Sequence, residues 1–149
     1  MSELSPDQRA ALIRRYFAAC NAGDYLALVS CFTPDAVHYF PPGLPDVPWR
    51  GAETIAHKWV WCVETLGSRW TIEKILCSAD SDEAVIEWTH WKRNQKTALR
   101  GDEWYLFRDG LIAEIRAYYA APADRSARIN ELVDFDYAGR SYATVPPGD

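Results

Sequence analysis

Residues 14–40 read Arg14-Arg-Tyr16-Phe-Ala-Ala-Cys20-Asn-Ala-Gly-Asp24-Tyr-Leu-Ala-Leu-Val-Ser-Cys31-Phe-Thr-Pro34-Asp-Ala-Val-His38-Tyr-Phe40, and this stretch decides the fold. Leu12, Ile13, Tyr16, Phe17 and Cys20 recur at helical spacing and make one apolar face. Upstream, Ser5-Pro6-Asp7-Gln8 supplies an N-cap, a proline at the first helical position and the Gln of a capping box. Asn21-Ala22-Gly23 ends the helix, and Asp24 caps a second, shorter one running to about Phe32. Pro34-Asp35 then turns the chain into a strand over Ala36 to Phe40.

The proline-rich segment from Pro41 to Arg50 reads as an ordered loop, and Gly51 to Leu66 as a third helix. Four strands follow, at about Arg69–Cys77, Ala84–Lys92, Ala98–Arg108 and Leu111–Ala120, the last two joined by the Asp109-Gly110 hairpin turn. Asp124 to Leu132 has helical character. Val133 to Tyr142 carries Phe135, Tyr137 and Tyr142 and is too apolar for a free tail. Its expected place is over a pocket mouth or on a partner subunit.

The length of 149 residues predicts one domain, 1–149, with 122–149 as a C-terminal extension packing on the domain or on a partner subunit. With 48% apolar residues a substantial core is available, and the net charge of −5 without a basic run argues against nucleic acid and anionic membrane as partners. The first residues lack the charged and apolar regions of a signal peptide, and no apolar run reaches the roughly 20 residues of a membrane span. A cytoplasmic protein is expected. Cys20, Cys31, Cys62 and Cys77 form no Cys-x-x-Cys pair and read as buried thiols serving as small hydrophobes. The three histidines have no metal-ligand spacing, and no nucleotide-binding glycine motif is present, so no metal and no cofactor is expected.

Helix, helix, strand, helix and four strands is an α+β order. Together with the first helix, the Asn-Ala-Gly-Asp turn and the last hairpin, it resembles the NTF2-like superfamily, specifically its SnoaL-like and ketosteroid isomerase-like branch. That superfamily also includes limonene epoxide hydrolase and scytalone dehydratase. The resemblance covers about residues 10 to 120. It implies a cone in which a curved antiparallel sheet wraps three N-terminal helices around a deep apolar pocket, and cofactor-free chemistry inside it.

The isomerase pairs a helix-1 Tyr with a protonated acid on the next-to-last strand. The resemblance puts Tyr16 and Glu103 at these places, where both can donate hydrogen bonds to a developing oxyanion. Strand alternation sets Leu99, Glu103, Tyr105 and Phe107 on one face, and burial there raises a carboxyl pKa. The family's catalytic aspartates are replaced. Phe40 stands where the isomerase has its base, and Ala117, in Ile115-Arg116-Ala117-Tyr118-Tyr119, stands where cyclases and limonene epoxide hydrolases carry Asp.

Histidine is the substitute base. His90 shares a strand face with Ile86 and Trp88, and His38 shares parity with Phe40. Trp59, Trp88, Tyr105, Tyr119, Phe40 and Ala117 are the expected walls. Two functions stay open: a cofactor-free lyase, isomerase or cyclase acting on an apolar, ring-containing small molecule, and a non-catalytic small-molecule-binding or interaction module. Trp104, Leu106, Arg116 and Tyr118 fall on the opposite strand faces, which predicts a homodimer through the sheet.

Overall fold

The structure, a computed structural model, describes residues 3–119, 132–142 and 145. Helix α1 spans Pro6–Ala22. Its capping box is closed: the Gln8 amide donates to Ser5 Oγ at 3.2 Å, and the Ser5 amide donates to Gln8 Oε1 at 2.8 Å. Gly23, at φ 63°, ends it in the left-handed conformation that only glycine adopts without penalty. Leu12, Ile13, Tyr16, Phe17 and Cys20 are all buried, as the spacing requires. Asn21 does more than end a helix. Its side chain accepts from the Trp70 amide at 2.8 Å and donates to the Trp70 carbonyl at 3.0 Å, pinning α1 to the third strand.

Helix α2 (Tyr25–Ser30) is capped by Asp24 through the Ala27 amide. It stops before Phe32, because the chain has already entered strand β1, Phe32–Tyr39. The sequence places that strand later, from Ala36, on account of Pro34. The proline is accommodated at an irregularity: pairing with the last strand shifts register between Phe32 and Val37. There a missing N–H breaks no ladder bond. The proline-rich segment after Phe40 ends in a two-residue strand β2 (Trp49–Arg50) paired with Val37 and His38. Helix α3 covers Ala52–Leu66.

Strands β3 (Ser68–Cys77), β4 (Glu83–Lys92), β5 (Thr97–Arg108) and β6 (Leu111–Tyr118) form an antiparallel meander. Arg93–Gln95 adds a short 3-10 turn between β4 and β5. The six-stranded sheet has the order β2-β1-β6-β5-β4-β3. One pair departs from the antiparallel expectation: β1 runs parallel to β6, since the chain returns to β1 only after α3 and the meander. Helix α1 packs on β3, and α3 on β1 and β3, so the helices occupy one face of the sheet. The main core, including Ile13, Leu28, Ile55, Ile86, Tyr105, Ile112 and Ile115, lies between them.

A second, smaller core lies elsewhere. Leu132 and Phe135 pack with Tyr39, beside Val37, Tyr118 and Tyr137. Residues 132–142 thus lie against β1 and β6, and none of them lines the pocket. The helix expected over Asp124 to Leu132 falls, except for Leu132, outside the described residues, as does the expected strand end at Ala120. No helix among the described residues is long and apolar enough to cross a membrane.

Candidate functional site

Between the helices and the sheet lies a cavity of about 770 Å³. Its walls come from α3 (Trp59, Cys62), β3 (Trp70), β4 (Trp88, His90), β5 (Leu99, Glu103), β6 (Ala117) and the chain around Phe40 and Trp49. Leu44 and Trp61, 38% and 54% exposed, mark its rim. Aromatic rings meet edge to face around it: Trp49 on Trp59 at 4.7 Å and Trp59 on Trp70 at 5.2 Å. Deeper in, Trp88 meets Tyr119 at 5.7 Å. Gly101 makes this last contact possible, because a Cβ there would sit 2.8 Å from Trp88 Cζ2 and from the Tyr118 carbonyl.

Among the described residues Glu103 is the one carboxyl lining the cavity, and it is 6% exposed. Burial raises its pKa to about 7, partly opposed by the hydrogen bond from Tyr105. The Tyr105 hydroxyl donates to Glu103 Oε2 at 2.5 Å. Glu103 Oε1 lies 4.0 Å from His38 Nε2. That contact is no ion pair. Burial pushes His38 down to about 3, so near neutral pH the imidazole is uncharged. His38 Nδ1 lies 3.3 Å from the Tyr39 carbonyl, which must accept, so Nδ1 carries the proton and Nε2 presents a lone pair. Nε2 has no hydrogen-bond partner in a fully buried ring stacked on Phe40 at 4.1 Å. A protonated Glu103 therefore keeps its proton on Oε1, the oxygen Tyr105 leaves free.

The residues expected from the sequence separate into groups. Glu103, His90, Phe40, Trp59, Trp88, Ala117 and Tyr119 line the cavity. His38, Tyr105 and Tyr16 do not, and stand behind its wall. The partner of Glu103 is Tyr105 rather than Tyr16. The Tyr16 ring packs edge-on against Phe17 and Phe32, with its hydroxyl beside Cys20; burial, then Cys20, push its pKa well above the usual value. Tyr105 sits two residues from Glu103 on the same strand face, and this spacing was the available signal.

His90 is stacked on Trp70 at 4.6 Å, and its Nε2 is 2.8 Å from Ser68 Oγ. Burial, then the Lys92 charge, lower its pKa to about 3, leaving a neutral but weakly basic ring. The Cys62 thiol is pushed up to about 11 by burial, which suppresses the reactive thiolate. Sequence reasoning missed Trp49, Trp70, Ser68, Lys58 and Lys92. Lys92 alone carried a local signal, because it continues the inward alternation of Trp88 and His90.

Comparison with known proteins places this arrangement. A protein of unknown function with a cystatin-like fold from Methylobium petroleophilum is 47% identical, with a TM-score of 0.91 and 99% of each chain covered. An NTF2-like protein of unknown function from Mesorhizobium loti is 22% identical, with a TM-score of 0.67, covering 81% of this chain and 98% of that one. A protein from Sinorhizobium meliloti provisionally named a polyketide cyclase is 21% identical, with a TM-score of 0.60, covering 72% of this chain and 93% of that one. The latter two likenesses bear on the fold alone. Among curated proteins none matches. The profile of the SnoaL-like domain matches residues 13–115, from the first helix to the strand beside Glu103, and with its helix-backed sheet the chain belongs to the SnoaL-like family of the NTF2-like fold.

Proposed function

We propose that the protein is an acid–base enzyme of the isomerase, lyase or cyclase kind, acting on an apolar, ring-containing small molecule held in this cavity. The observation that carries the reading is Glu103: among the described residues the one carboxyl on an apolar cavity wall, buried and with a pKa raised to about 7. Such a group is present in both forms at neutral pH, which suits it to give and take a proton. Tyr105 holds Oε2, so Oε1 carries the transferable proton. Protonated, Glu103 delivers that proton to a substrate oxygen; ionised, it removes one from an acidic C–H or O–H. Tyr105 stays bonded to the carboxylate that results and limits the cost of its charge. Trp59, Trp88 and Tyr119 supply ring-shaped apolar contact for the substrate body.

A binding module is the second reading, favoured by Phe40 and Ala117, which replace with inert side chains the aspartates that act in other branches of the superfamily. One variant separates the two. Glu103→Gln keeps the shape and the Tyr105 contact but cannot transfer a proton. On a panel of cyclic ketones and hydroxylated polycycles, the enzyme reading expects wild-type turnover that falls by about 10²-fold or more in the variant. Full turnover in Glu103→Gln rejects Glu103 as the acid–base group. Equal ligand affinity in both proteins without turnover in either supports the binding module.

A further inference from the structure

The cavity is electrically lopsided. Its carboxyl, Glu103, pairs across the sheet with Ile86 of β4. Lys92, on the same strand and of the same parity, stands six residues further along and also lines the cavity. At the rise of an extended strand, those positions are about 20 Å apart along β4. Inward positions before Lys92 are Ala84, Ile86, Trp88 and His90, so a lysine here interrupts an otherwise uncharged face. From α3, Lys58 also lines the cavity, one turn from Thr54 and from Cys62, which line it too.

Among the described residues Lys92 has no carboxylate within ion-pair distance, and Lys58 has only the exposed Asp46, at 3.5 Å. Both charges act on the interior: each lowers the Cys62 thiol, and Lys92 also lowers His90. Two cations, one from β4 and one from α3, thus line an apolar cavity within electrostatic reach of the same residue, Cys62, in a chain whose net charge is −5.

We infer that the ligand is an amphipathic organic acid, whose apolar ring body fills the cavity and whose anionic group, a carboxylate or its like, is held between Lys92 and Lys58. The body then reaches Glu103 with its opposite end. The two lysines set orientation, so that only one end of the molecule meets the proton-transfer group. This assignment rests on the cavity being a ligand site, as proposed above, and is independent of whether Glu103 performs chemistry there.

A matched pair of fluorescent probes tests it on the intact chain. Anilinonaphthalene sulfonate and N-phenyl-naphthylamine share a ring skeleton, and only the first carries an anion. Entry into the cavity is read from the indole N–H signals of Trp59 and Trp88. The wild type is expected to bind the sulfonate about tenfold more tightly than the neutral probe, a difference equivalent to one charge-assisted contact. Lys92→Met should remove most of that preference while moving naphthylamine affinity less than about twofold, and Lys58→Met should repeat the effect at smaller size, since Asp46 shares that charge. Equal affinity of the wild type for both probes, or an undiminished preference in the double variant, overturns the inference and leaves the apolar site standing. Failure of both probes to move the Trp59 and Trp88 signals overturns the inference and the cavity reading together.

Discussion

Glu103 keeps its proton to about pH 7 because ionising it would place a charge among aromatic rings, with one tyrosine hydroxyl as its hydrogen-bond partner. Its folded pKa stands above the ordinary 4.5, so the folded state binds the proton more tightly than the unfolded chain does. The stabilising contribution is complete below about pH 4.5 and is lost as pH rises through 7. The loss amounts to roughly 3 kcal/mol. Glu103→Gln should therefore be more stable than the wild type near about pH 8, by up to roughly 3 kcal/mol, with the gain vanishing toward about pH 4.5. Urea unfolding of both proteins across that range measures it, and a gain independent of pH would contradict the buried-carboxyl account. His38 and His90 act in the opposite sense. Their folded values near 3 mean that their stability is present above about pH 6.5 and lost on acidification. Both variants carry them, so they cancel in the difference. The same values move any acid limb due to His90 far below neutral pH, whereas burial raises the cavity-lining Glu103 to about 7.

At the scale of elements, residues 132–142 form a strap with an unusual anchor. Arg140 donates to both oxygens of Glu114 on β6, at 2.6 and 2.9 Å, and Arg116 donates to the same carboxylate at 2.9 Å. The Phe135 ring lies under Arg140 at 4.2 Å and near Arg116 at 5.6 Å. Glu114 and Arg116 are buried and paired with each other, and Arg140 of the strap brings a second cation to the Glu114 carboxylate. The strap also reaches toward the cavity, because the Val133 amide donates to the carbonyl of Phe40, whose ring lines it. Arg140→Met should cost about 1–3 kcal/mol in thermal or urea unfolding and should raise hydrogen exchange at Val133 and Phe135 first. Unchanged exchange at these amides would show that apolar packing alone holds the strap.

The whole molecule carries the consequence of that strap. Of the outward-facing residues expected to build a dimer, Arg116 is covered and Tyr118 is bonded to Tyr137 by the chain's own end. The part of the outer face left open lies on β4 and β5, where Trp91 and Trp104 are 42% and 39% exposed. Large aromatics on an open sheet face are the usual core of an association surface. A homodimer through this narrower patch is the expected state, with Trp104→Arg shifting it to monomer. Sedimentation velocity at micromolar concentration decides the point, and a monomeric wild type would remove the sheet from consideration as an interface.

Local chemistry determined much of this protein. Caps at Ser5 and Asp24, the glycine at 23, the Asp109-Gly110 turn and the alternation of β4 and β5 act over a few residues, so they are legible in order along the chain. Alternation was also enough to put Glu103, Trp88 and His90 on one face, which is the face that bounds the cavity. Other features depend on residues far apart in sequence. That Tyr105 rather than Tyr16 bonds Glu103 follows from where α1 settles against the sheet. The sharing of one cavity lining by Lys58 and Lys92, the parallel pairing of β1 with β6, and the closing of Arg140 on Glu114 all join segments separated by long stretches of chain. Register, sheet curvature and helix docking set those distances together, and burial among the resulting neighbours is what moves Glu103 to about 7 and His38 and His90 to about 3. Residue types and their periodicity chose the elements and their inner faces; only the packed structure decided which of those side chains meet and what charge they carry.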